Sequence, residues 1–202
     1  MNTRFSAWIF VLLFGLAALA GCGESNKTNV SNAGSDSTSR QGGNGDEDRQ
    51  WVGHDGLLMS IMPADGWEGP IDVRGICWLY MPKKTGEDGG EGATRAVVGL
   101  FDVHYRDDIT TVNELMEEMQ DGELRDAKQF GEITSTTVNG MDALECVFTT
   151  EKEDTGRIIC MFKKDSYAFA ILCYAPTKDY DAFSGDFQRM IDSFLWKVAP
   201  EE

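Results

Sequence analysis

Residues 158–162 and 167–174 are apolar at nearly every position. As strands they put Ile158, Cys160 and Phe162 on one side and Ile159 and Met161 on the other, with Phe169 and Ile171 opposed to Ala170 and Leu172. A strand that is apolar on both sides is stable only in a sheet covered on both faces. Two stretches with helical spacing can supply the covers. Val112, Leu115, Met116 and Met119 follow the i, i+3, i+4, i+7 rule behind a cap at Thr110 or Thr111, and Glu114, Glu117, Glu118 and Asp121 leave the rest of that helix acidic. A break at Gly122 and a resumption to about Phe130 are expected. Phe183, Phe187, Met190, Ile191 and Phe194 form a second stripe over residues 180–194. The predicted fold is α+β, an α/β/α sandwich with a central antiparallel sheet and helices on both faces.

The remaining strands follow from alternation and turn chemistry. Residues 57–62 run into Pro63-Ala64-Asp65-Gly66-Trp67, a stop and a turn. Residues 73–81 read as one strand ending at Pro82, and residues 83–92 as a Gly-rich acidic loop. Residues 96–105 put Val97, Gly99, Phe101 and Val103 on one face and Ala96, Val98 and Leu100 on the other. A Thr-rich strand over 132–138 ends at Asn139-Gly140, and 144–149 is a further strand. Short polar links at 151–156 and 164–166 join the last three strands into a meander.

Upstream of the folded part, Arg4 is the one fixed positive side chain of a short leader, and residues 7–20 are an uninterrupted apolar segment. Fourteen residues suit a secretory signal and fall short of the ~20 that a membrane-spanning helix needs. The segment ends in Leu19-Ala20-Gly21-Cys22, which resembles the lipobox of bacterial lipoproteins. That resemblance implies removal of residues 1–21 and a diacylglycerol, with palmitate-type chains, on the Cys22 thiol. Two or three acyl chains, at ~0.8 kcal/mol per buried CH₂, hold a protein stably at a membrane. It also implies the outer membrane, facing the periplasm, if the cell has two, because Gly23 rather than an Asp follows the modified Cys.

Residues 23–50 are dominated by Ser, Asn, Gly and Thr and contain only Val30 and Ala33 as apolar side chains, too few to bury a core. With Cys22 they read as a lipidated tether, and 28 such residues span roughly 30 Å r.m.s.. Residues 51–202 are then one domain. The whole chain carries 18 basic and 34 acidic side chains, net −16, and cleavage removes Arg4. Such a surface repels phosphate backbones and anionic headgroups, which excludes nucleic acid as a partner and leaves the anchoring to lipid.

Four further stretches carry a second resemblance: Met62-Pro63 with Gly66-Trp67, Thr137-Val138-Asn139-Gly140 with Ala143-Leu144, Tyr167-Ala168-Phe169-Ala170-Ile171, and Ser193-Phe194. In this order they look like the bacterial relatives of PsbP, the extrinsic photosystem II protein. The resemblance implies an α/β/α sandwich, no catalysis, and work by docking to other proteins. It places no metal ligand on His54 or His104.

Cys77, Cys146, Cys160 and Cys173 remain for the folded part. In an exported protein an even number suggests disulfides, and a turn at 151–155 would set Cys146 opposite Cys160. Four small core hydrophobes is the other reading, since each sits among apolar neighbours. Glu87, Asp88 and Glu91 could offer oxygens to a divalent cation, but they do not match the EF-hand spacing, and a solvated acidic loop is the preferred reading. His104 stands beside Asp107 and Asp108 in a turn. The chain contains no Cys-x-x-Cys, G-x-S-x-G, H-E-x-x-H, P-loop or G-x-G-x-x-G. These observations lead to a membrane-anchored, extracytoplasmic, non-catalytic module with an envelope protein as partner and no cofactor. The alternative is an envelope protein that binds a small molecule or divalent metal, with residues 83–92 and the Trp67 turn as site edges. The anchor is tested by Cys22→Ala: the wild-type chain is expected in the membrane fraction and the variant in the soluble one, and a variant that stays with membranes contradicts it.

Overall fold

The computed structural model describes residues 49–53, 57–83, 96–103, 109–163 and 167–198. Gln50–Glu202 forms a unit of its own. Its centre is a seven-stranded antiparallel sheet in the order β2-β3-β4-β8-β7-β6-β5. The strands are β2 (Trp67–Val73), β3 (Cys77–Pro82), β4 (Val97–Asp102), β5 (Ala127–Val138), β6 (Met141–Thr150), β7 (Asp154–Lys163) and β8 (Tyr167–Pro176). A separate two-stranded ribbon pairs β1 (Leu57–Ser60) with β9 (Leu195–Val198). The described residues of the unit also form two helices, α1 (Val112–Asp121) and α2 (Tyr180–Asp192).

The doubly apolar strands lie inside the sheet, as their composition requires. β8 has β4 on one side and β7 on the other, and eight of its ten residues are buried. Ile159, Met161, Phe169, Ile171 and Cys173 share a core with Phe187, Met190 and Ile191 of α2, and the ribbon's Leu57 and Met59 close over that same face. The alternate residues Ile158, Cys160, Ala170 and Leu172 are equally buried but belong to the opposite face. There α1 rests on β7 and β6 through Leu115, Met116 and Met119. The two covers thus lie on opposite faces.

Thr111 caps α1. Its side chain accepts from the Glu114 N–H while Glu114 reaches back to the backbone of Thr110 and Thr111, a reciprocal capping box. These bonds hold the Glu114 carboxyl below its usual range, the Thr110 contacts contributing most.

Three expectations need correction. Residues 73–81 are not one strand. Asp72 Oδ1 accepts from the Gly75 N–H at 2.6 Å, and Arg74 and Gly75 take positive φ, so the chain reverses between β2 and β3. The helix from Val112 does not resume after Gly122: β5 begins at Ala127, and the pairing of Phe130 with Phe148 overrides local helical propensity. The final helix stops at Asp192, so Phe194 leaves helical geometry and leads into β9.

Gly156 shows how tightly the sheet is built. The Phe148 ring lies over it, and a Cβ on residue 156 would stand 2.3 Å from the ring's Cζ. Phe148 is 2% exposed and cannot swing into solvent. Gly156→Ala is therefore expected to lower stability in urea by about 1–3 kcal/mol through overpacking, and Phe148→Leu in the same chain should recover part of the loss. An unchanged midpoint in Gly156→Ala would contradict this packing.

Candidate functional site

Cys22, His54, residues 84–92 and residues 104–108 lie outside the described residues, and with them the expected lipidation site, most of the acidic loop and the His104 turn. Trp67 is described, and it is not a site edge. It is 4% exposed, its ring meets Phe183 and Phe187 edge-on at 5.9 Å each, and its Nε1 donates to Asp186 Oδ2 at 2.8 Å. That bond ties β2 to α2 and uses the ring's one polar atom. Among the described residues no three His, Cys, Asp or Glu side chains gather in a way that could hold a metal ion.

The four cysteines are buried and unbridged in this structure. The turn between β6 and β7 spans residues 151–153 only, because the Thr150 hydroxyl accepts from the N–H groups of Lys152 and Asp154 while Glu153 takes a positive φ. The register therefore differs from the expected one. Cys146 stands opposite Ile158, and Cys160 opposite Leu144. Cys146 and Cys160 become diagonal neighbours on one face, where Cα separations of about 7–8 Å exceed the ~4.4–6.8 Å that a disulfide spans. Cys146 instead meets the Gln120 amide at 3.6 Å and the Gly131 carbonyl at 3.7 Å.

Cys77, Phe101, Ala170, Cys160 and Leu144 form one row across the α1 face of the sheet. Burial raises all four thiols above their ordinary value: Cys173 is pushed up to about 12, and Cys77, Cys146 and Cys160 also move upward. Thiols held neutral by burial are poor nucleophiles. Tyr80, in the core of the other face, is also raised by burial, to about 12, and its hydroxyl meets no hydrogen-bond partner among the described residues.

The sheet's outer border contrasts with that interior. Among the described residues β5 pairs with β6 alone and ends the sheet. Glu132, Ile133, Thr134, Ser135 and Thr137 are exposed, and Ile133 keeps 44% of its surface open to solvent. A bulge between Phe130 and Ile133 bends the first half of the strand, while residues 133–138 pair with β6 without interruption. On the α2 face beside this border, Arg157 Nη1 bridges Glu145 at 3.5 Å and Gln188 at 3.1 Å, and Gln188 donates to Asp192 at 2.8 Å. Sequence reading identified a Thr-rich strand here. It could not show that the strand is a border, because sheet order is set by pairings between segments distant in sequence. Its Thr-rich composition with few large apolar side chains shows only that the strand is not covered on both faces.

No protein-family model matches the chain, and no curated protein matches it. Solved structures do. The solution structure of cyanobacterial PsbP (CyanoP) from Synechocystis sp. PCC 6803 is similar to this chain at 14% identity and a TM-score of 0.49, over 78% of this chain and 97% of that one. LpqN of Mycobacterium tuberculosis, described as involved in cell envelope biogenesis, is similar at 14% identity and a TM-score of 0.47, over 76% of this chain and 91% of its own. The Saccharomyces cerevisiae Ran-binding protein Mog1p is similar at 12% identity and a TM-score of 0.45, over 73% and 95% respectively.

The buried thiols set a pH dependence. A thiol whose ordinary value is 9.0 and whose folded value is near 12 ionises first in the unfolded chain. Its contribution to stability is full below about pH 9 and falls as pH rises towards the folded value. The urea midpoint is expected to hold steady near neutral pH and to drop between about pH 9 and 11, with a shallower drop in Cys173→Ala. A midpoint that stays flat to pH 11 would contradict burial of neutral thiols.

Proposed function

We propose that this chain is a lipid-anchored, extracytoplasmic protein-binding module that performs no catalysis. Leu19-Ala20-Gly21-Cys22 at the end of an apolar leader is the observation that carries the proposal. A diacylglycerol on Cys22 fixes one end at a membrane surface, in the outer membrane if the cell has two, and residues 23–50 give the domain reach above the headgroups. No helix among the described residues is long and apolar enough to cross a membrane.

The folded unit supports docking over chemistry. Polar side chains tie elements together, as where Trp67 Nε1 donates to Asp186 and the Met62 backbone N–H donates to Ser193 Oγ. Its thiols are kept neutral by burial. Among the described residues the sheet has two outer strands, β2 with Ile71 exposed and β5 with Ile133 exposed, on an acidic body. Open edges bind proteins by main-chain pairing.

Cross-linking of intact cells at native expression tests this reading. The wild-type chain is expected in discrete species heavier than the monomer, and these should fade in Cys22→Ala, which no longer shares the membrane surface with its partners. Absence of any heavier species would contradict the docking role.

A further inference from the structure

We propose that Asn139 is a site of self-modification: its amide is lost to attack by the Gly140 backbone nitrogen, and the loss unfastens the β5–β6 turn from the end of α2 and β9. This is covalent chemistry of the chain itself and stands apart from the docking role.

The turn places the reacting atoms. Asn139 and Gly140 have φ of 48° and 78°, the pattern of a two-residue type I′ turn. Both residues are exposed, so water reaches them. In such a turn the ladder closes on the flanking pair, here Val138 and Met141, and leaves the Gly140 N–H outside it. Gly140 carries no Cβ to shield that nitrogen, and the space where one would stand is open. Asn113, the other asparagine among the described residues, lacks these features. It lies in α1, and the nitrogen after it, that of Glu114, donates to Thr111 Oγ1 at 3.2 Å and has a side chain beside it.

The reaction balances with water alone. The Gly140 nitrogen bonds to Asn139 Cγ and gives up its proton, the Cγ–Nδ2 bond breaks, and Nδ2 leaves as ammonia. A five-membered cyclic imide remains. Water opens the ring at either carbonyl: at Cγ it gives aspartate, and at the backbone carbonyl it gives isoaspartate, in which the main chain runs through Cγ. Nothing is oxidised or reduced.

The fold sets the rate. Ring closure requires Asn139 Cβ and the Gly140 nitrogen on the same side of the Cα–C bond, and a type I′ turn holds them apart. The turn must therefore open first. Asn139 Nδ2 opposes that opening by donating to the Phe194 carbonyl at 3.1 Å. Phe194 is itself pinned, since it is buried against Phe169 at 5.5 Å and follows Ser193, whose Oγ accepts from the Met62 N–H at 2.7 Å.

The product cannot restore the contact. A carboxylate only accepts hydrogen bonds, so an anionic oxygen faces the Phe194 carbonyl where a donor stood. Isoaspartate also adds a backbone carbon to a turn whose length fixes the register of β5 on β6. The step runs one way because ammonia is lost to solvent. The modified chain keeps its two-sided core and loses the tie between turn and ribbon.

Peptide mapping by mass spectrometry on the purified full chain, folded and held at mildly alkaline pH, tests this. Mapping separates Asn139 from the second Asn-Gly pair, Asn44-Gly45, and distinguishes aspartate from isoaspartate. Asn139 is expected to convert while Asn113 does not, and to convert faster still in the urea-unfolded chain. Ser193→Ala leaves the turn's sequence intact and removes the bond to Met62. It should speed conversion in the folded chain about two- to tenfold, the worth of one hydrogen bond. Converted chains, separated by their extra negative charge, should unfold at a lower urea midpoint than unconverted ones. Asn139→Asp should reproduce that loss without incubation, and because Asp tolerates the left-handed conformation, the loss reports the contact and not strain. Conversion of Asn139 no faster than that of Asn113 would overturn the proposal. So would an unchanged rate in folded Ser193→Ala, or converted and Asn139→Asp chains that unfold at the wild-type midpoint. The comparisons of Asn139 with Asn113 and of converted with unconverted chains need no variant to fold.

Discussion

The structure depends on burying β7 and β8 from both sides at once. Ile158, Cys160, Ala170 and Leu172 point to the α1 face, while Ile159, Met161, Phe169 and Ile171 point to the α2 face, and all are 2% exposed or less. At roughly 25 cal/mol per Å² of apolar surface, neither face can be left wet. The sheet consequently needs two helices, a β8 flanked on both edges, and an order that places weaker strands at the border. β2 and β5, the outer strands, are mostly exposed or half-buried.

The second layer is held by contacts converging on the end of α2. Ser193 Oγ accepts from the Met62 N–H and donates to the Met190 carbonyl, both at 2.7 Å. Asn139 donates to the Phe194 carbonyl at 3.1 Å, from a left-handed conformation that suits Asn. Phe194 is fully buried and meets Phe169 edge-on at 5.5 Å. Met62, Asn139, Phe169, Ser193 and Phe194 all belong to the stretches that resembled the PsbP relatives. Their convergence gives those short motifs a structural meaning: they fasten the ribbon, the β5–β6 turn and α2 to one point.

Most of the fold was legible because it rests on periodicity. The two-sided apolar strands, the two helical stripes, a cap at Thr110 or Thr111 and the Asn139-Gly140 turn were all visible as local patterns. The misses have a common physical origin in pairings that local pattern cannot carry. Residues 127–130 form a strand because Phe130 meets Phe148, and residues 195–198 because β1 lies across from them. The Cys146–Cys160 register shifted by two residues because one threonine hydroxyl, accepting two N–H groups, tightens the turn. The Trp67 turn was read as the edge of a site, and only its distant partner Asp186 shows why the ring is buried. The open border of β5 was illegible for the same reason, since an edge is defined by the neighbour it lacks.

The docking role proposed here rests on this division between a closed interior and an open border. A sheet whose centre is sealed on both sides can leave an outer strand unsatisfied without loss of the fold. Native-state hydrogen exchange on the folded chain tests the division most directly. Amides of Ile159, Cys160, Ala170 and Ile171 are expected to exchange only through global unfolding, and those of Ile133, Ser135 and Thr137 in the outer strand β5 through much smaller openings. Central amides that exchange as fast as those of β5 would show that the two-sided core is not what holds this protein together.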